Sequence, residues 1–184
     1  MAPTPAIANA PEKATGPINL GFLTVLNEAS GYLGGYLVTN TWGRPLEFRL
    51  TSAVQPNRVQ QILYGGTLQP YICADLIGKT LVEKAGIPVQ LIVTDREPVL
   101  DLRHKVEMPV VWLTPANAAQ AAPETTVAPA RNGYGPLCCH PRFAADVPAA
   151  RDLLARLDST FDLAEPFARI REAVAEARKL GAGR

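Results

Sequence analysis

Residues 57–86, NRVQQILYGGTLQPYICADLIGKTLVEKAG, carry the strongest helical pattern in the first two thirds of the chain. Segments before this stretch read as strands, and segments after it alternate strand with helix, so its position sets the fold class as α/β. Within it, residues 58–64 make a short helical run that Gly65-Gly66 stops, because paired glycines weaken a helix and permit a left-handed turn. Thr67 then stands as an N-cap, with Pro70 in the first turn, where a missing N–H costs nothing. Ile72, Cys73, Leu76, Ile77 and Leu81 follow at spacings of three and four, which make an apolar helix face. Gly86 is placed to end the helix and Pro88 to block its continuation. Asp75, Lys79 and Glu83 sit four apart on a polar edge, the spacing of weak surface ion pairs.

The rest of the chain falls into order around this helix. Residues 1–17 are Ala/Pro-rich, have little to bury and read as a disordered tail. Residues 19–26 and 32–39 read as strands, with Gly34-Gly35 marking a bulge or a close backbone approach. Residues 40–44, NTWGR, connect a hairpin to a third strand over 46–51. That strand alternates: Leu46, Phe48 and Leu50 face one way, Glu47, Arg49 and Thr51 the other. After the central helix come an apolar strand over 89–94, a short helix over 98–106 and a second apolar strand over 108–113. Residues 114–136 are rich in Ala, Pro, Thr, Asn and Gly and read as a flexible linker or long loop. Residues 137–184 hold the LCCHPRF cluster and two amphipathic helices, over 149–157 and 164–180, that pack on the domain or on a partner. The expected order is β-β-β-α-β-α-β, a mixed sheet within a core domain at 18–113. One core is expected from Leu46, Phe48, Leu50, Ile72, Leu76, Ile77, Leu91, Val93, Val111 and Leu113.

This element order resembles that of the ribonuclease H-like proteins over residues 18–113. The resemblance implies carboxylates that hold two divalent metal ions: one inside strand 1, one on the first helix and one at the end of strand 4. Asp95 matches the last position and Asp75 the helix position. The first strand, NLGFLTVL, has no acid, and Glu28 lies beyond its end. The residues alone give Asp95 a different task, as the cap of the helix that TDREP opens.

Composition narrows the function classes. A chain of 184 residues, 47% hydrophobic and 19% charged, suits one globular domain with a real core. Its net charge of +1 supplies no global field for nucleic acid or an anionic membrane. Its three cysteines are odd in number and Cys138 and Cys139 are adjacent, which is no secreted disulfide framework. With no signal-peptide pattern and no run long enough to span a membrane, the expectation is a cytoplasmic protein. Cys138, Cys139 and His140 invite a metal or nucleophile reading; His104 is the one other histidine, and a fourth ligand would have to come from Cys73 or an acid. Adjacent cysteines, however, reach a common ion poorly, and the bland reading is a loop anchored by small buried thiols. The glycine pairs complete no phosphate-loop pattern, so no cofactor is expected. Arg44, Arg49 and Arg58 near Trp42 and Phe48 could track a nucleic-acid single strand, but a solvated strand face fits the low net charge better.

The sequence thus leads to a non-catalytic binding domain whose partner is another protein or a second copy of itself. Its candidate surface is Trp42, Arg44, Glu47, Arg49 and Arg58, together with the C-terminal helix. The alternative is a metal-dependent nuclease or phosphodiesterase using Asp75 and Asp95, with Glu28.

Overall fold

β1, Leu20–Glu28, is apolar on both faces, and such a strand belongs at the centre of a covered sheet. The computed structural model, which describes residues 16–119 and 121–182, places it there. The expected disordered tail lies outside the described residues except for Gly16 and Pro17. β1 pairs antiparallel with β2 (Gly31–Thr39), which pairs antiparallel with β3 (Pro45–Leu50). On its other side β1 runs parallel to β4 (Leu91–Thr94), and β4 parallel to β5 (Val110–Pro115). Two further strands, β6 (Thr126–Ala128) and β7 (Tyr134–Cys139), complete a seven-stranded mixed sheet in the order β3-β2-β1-β4-β5-β7-β6. The fold is therefore α/β with parallel and antiparallel pairs.

Helices cover both faces. On one side lies a helical run of α1 (Arg58–Tyr64), a 3-10 turn at Gly65–Thr67, α2 (Leu68–Pro70), a π-helical stretch at Tyr71–Gly78 and α3 (Lys79–Lys84). A 3-10 helix at Glu97–His104 joins it, and together they bury Leu23, Val25, Tyr36, Ile77, Ile92 and Leu102. On the other side α4 (Val147–Ala155) and α5 (Glu165–Ala182) cover Phe22, Leu91, Val93 and Val111 with Phe167, Ile170 and Val174. The alternation of β1 and β4 supplies both cores, because successive residues face opposite sides.

Several expectations are corrected. α1 does end at Gly65, whose φ of 50° needs glycine, but Thr67 caps nothing; its hydroxyl donates to the Tyr64 carbonyl at 2.7 Å. The π stretch takes an extra residue into the turn, so the apolar face shifts phase. Ile72, Cys73, Ala74 and Ile77 are buried, whereas Leu76 is only half-buried. Leu46, Phe48 and Leu50 are not core: β3 is an edge strand and all three are exposed. Residues 114–136 are no linker, since they carry β6, a 3-10 turn and the start of β7, with Val127 buried. The segment's small residues fit a short edge ladder that needs few large side chains.

Candidate functional site

Three groups of residues carry chemistry, and the fold keeps them apart. The first is the carboxylate set. Asp95 follows β4 and pairs with Arg171 of α5, so it does not cap the next helix, whose N-cap residue is Arg96. Glu28, at the end of β1, pairs with Arg178 of the same helix. Asp75 lies on the π stretch over the opposite face and sits 3.9 Å from Lys105. Each acid thus has a cationic partner of its own. Continuing the parallel register by one step from Leu23 and Thr94 sets Thr24 beside Asp95. The hydroxyl of Thr24 and the Oδ1 of Asp95 are both buried without a hydrogen-bond partner. At the centre of β1 the chain therefore offers a hydroxyl and no carboxylate.

The second group surrounds His140. Cys139 faces the core under α4 and α5, and Cys138, its neighbour on a pleated strand, faces the other side beside Trp112. The two sulfurs cannot share an ion. Burial pushes the Cys139 thiol up to about 12 and the Cys73 thiol up to about 11, and raises that of Cys138. All three are protonated and inert at neutral pH. His140 instead meets Asp101, its Nε2 3.1 Å from Oδ1. His104 completes the cluster, with its ring edge-on to His140 at 4.9 Å, and the ligand atoms of all three lie within 4.8 Å of one another. Asp101 and His104 are brought together by the 3-10 helix, where residues three apart eclipse. Among the described residues this is the three-member cluster able to hold a metal ion.

The donor set would suit zinc, but the hydrogen bonding does not. His140 Nδ1 accepts the Arg142 backbone N–H at 3.0 Å, which leaves the ring proton on Nε2, pointing at Asp101. A metal-ligating histidine needs one ring nitrogen free to coordinate while the other donates its N–H, and here Nδ1 is taken by Arg142 and Nε2 carries the proton. The arrangement is a tie between the 3-10 helix and the end of β7. Beside it Arg103 makes a second tie, with Nε 2.7 Å from Asp146, Nη1 donating to the Val106 carbonyl at 2.8 Å and the guanidinium 4.4 Å above the Phe143 ring.

The third group is β3 and its hairpin. Asn40 shapes the turn by accepting the Trp42 and Arg44 N–H groups on Oδ1, both at 3.0 Å. Trp42 is 73% exposed, and Leu46, Phe48 and Leu50 are 41%, 39% and 37% exposed. On the opposite face Glu47 accepts the backbone N–H of Gly86 and Ile87, each at 3.0 Å on Oε2, and Arg49 Nε at 2.6 Å. These donors hold the Glu47 carboxyl below the usual carboxylate range, the Gly86 N–H most of all. Arg44 is exposed beside this group, while Arg58 belongs to α1, where it reaches Gln61. No protein-family model and no curated protein matches the chain.

The backbone of β3 also has an open side. Thr51 N–H donates to the Gly34 carbonyl of β2, so by alternation the groups of Arg49 and Glu47 turn to β2 and those of Phe48 and Leu50 turn outward. The far edge of the sheet is treated differently: β6 is three residues long, and its Thr126 and Val127 carbonyls accept Arg151 at 2.8 and 2.9 Å. Sequence reasoning found the alternation of β3 but missed that it forms an edge, and it missed the meeting of Asp101, His104 and His140. Their signal was present: the chain has two histidines, and one stands three residues after an acid.

Proposed function

We propose that this protein is a non-catalytic binding domain that docks another protein strand along the open edge and outer face of β3. The observation that carries this reading is the row Leu46, Phe48 and Leu50, exposed on a strand whose outward N–H and C=O groups at Phe48 and Leu50 meet no other strand among the described residues. Proteins usually blunt such edges with short strands, charges, prolines or bulges; β6 is short and closed by Arg151, whereas β3 has its proline and irregularity only at its start and turns Glu47 and Arg49 to the face opposite the apolar row. An added strand would gain main-chain hydrogen bonds from the edge and apolar contacts from the face. The C-terminal helix does not serve as a second surface, since its apolar stripe of Phe167, Ile170 and Val174 is buried in the chain's own core. The nuclease reading has less support, because Asp75, Asp95 and Glu28 are each neutralised by a separate cation and a two-metal site needs shared, unpaired carboxylates.

The test is site-specific photocrosslinking in the source cell, with the crosslinker at Leu50 and, as control, at exposed Glu107. Discrete protein adducts at position 50 and none at 107 support the reading. No adduct at 50, or the same adducts at both positions, contradicts it.

A further inference from the structure

We infer that the strand docking on β3 is β3 of a second copy of this chain, in an antiparallel pair about a two-fold axis at Phe48. The inference rests on the docking reading above and adds the partner and its register. Residues 46–50, Leu-Glu-Phe-Arg-Leu, have the same pattern of character from either end, with an acid and a base in mirror positions around the phenylalanine. An isologous two-fold interface requires such a patch, because each residue meets the mirror residue of its partner.

The charges choose the register. Centred on Phe48, the pair sets Phe48 opposite Phe48, Leu46 opposite Leu50 and Glu47 opposite Arg49 on both sides of the axis. Outward backbone groups then face outward groups at the Phe48–Phe48 centre, as a hydrogen-bonded pair requires, while Leu46, which opposes Leu50, sits at the irregularity beside Pro45. Glu47 and Arg49 fall at the non-hydrogen-bonded positions, where opposed side chains are closest. Sliding by one step of the ladder in either direction sets Glu47 against Glu47 or Arg49 against Arg49, and like charges directly opposite destabilise a strand pair. Shifting by a single residue turns outward groups toward inward ones. One register therefore satisfies backbone and charge together. The register shift of β3 against β2 lies at the start of the strand, next to Pro45, and leaves Glu47–Leu50 regular. Arg49 is held alongside its strand by Glu47 and is 39% exposed.

Analytical ultracentrifugation of the purified full chain tests this. The wild-type protein is expected to sediment as a dimer. Arg49→Glu makes both charged positions acidic and Glu47→Arg makes both basic, so each alone loses the dimer boundary. Mixed in equal amounts, the two regain it, because each supplies the charge that the other lacks. Should Glu47→Arg unfold through loss of its Gly86 and Ile87 contacts, Arg49→Glu and Phe48→Lys decide the matter, and both are expected to be folded monomers by circular dichroism. A wild-type monomer, or a dimer that Arg49→Glu and Phe48→Lys leave intact, overturns the inference. Crosslinks at Leu50 to a different protein, with a monomeric wild type, sink the self-pairing and keep the docking reading; no crosslink and no dimer sink both.

Discussion

The Glu47 carboxylate joins two segments nearly forty residues apart, since it accepts the Gly86 and Ile87 N–H groups that follow α3 while pairing with Arg49 on its own strand. Those hydrogen bonds favour the ionised form, so the folded pKa lies below the ordinary glutamate value. The sign follows from linkage: a group with a lowered folded pKa stabilises the protein above the unfolded pKa and loses that contribution as pH falls through the folded one. Glu47→Gln is therefore expected to be less stable than wild type at neutral pH. The gap closes below about pH 4, where the unfolded carboxyl is already protonated and the folded one follows. Urea denaturation of both proteins across this range checks it, and a gap that does not change with pH contradicts the assignment.

Gly34 and Gly35 show how elements are fitted together. A Cβ on Gly34 would collide with the Ile77 side chain of the π stretch, and one on Gly35 with Ile170 of α5. β2 thus presents one bare position to each helical layer, and both layers pack directly on its backbone. Gly34→Ala and Gly35→Ala are each expected to cost about 1–3 kcal/mol by overpacking, read as a lower urea midpoint with an unchanged slope. The close approach was legible in the sequence from the paired glycines inside a strand pattern. The first five strands, the end of α1 at Gly65 and the apolar character of the helix were legible too, because periodicity and glycine report local geometry. The phase of residues 71–78 was not, since winding i→i+5 leaves the 3.6-residue pattern misleading at Leu76. The ladder of β6 and β7 was hidden because short strands of small residues have the composition of a loop.

At the scale of the whole molecule, the sheet is covered on both faces and has two ends. Arginines of α5 bind across it, Arg169 to the Gly43 carbonyl at 2.9 Å, Arg171 to Asp95 and Arg178 to Glu28, so acids that sequence order suggested for metal chemistry serve to hold a helix. That role depends on residues far along the chain, 76 positions away for Asp95 and Arg171, and could not be read locally. One end of the sheet, β6, is short and closed by Arg151; the other, β3, is open and apolar. The docking proposed above requires that this open end be occupied when the protein functions. Residue-resolved amide hydrogen exchange measures it directly, because the Phe48 and Leu50 N–H groups turn outward while those of Glu47 and Arg49 are bonded to β2. Phe48 and Leu50 are expected to be protected along with Glu47 and Arg49 in the wild-type dimer, and Leu50 to exchange fast in Phe48→Lys. Fast exchange of Phe48 and Leu50 in the wild-type protein at concentrations where the dimer is predicted would contradict it.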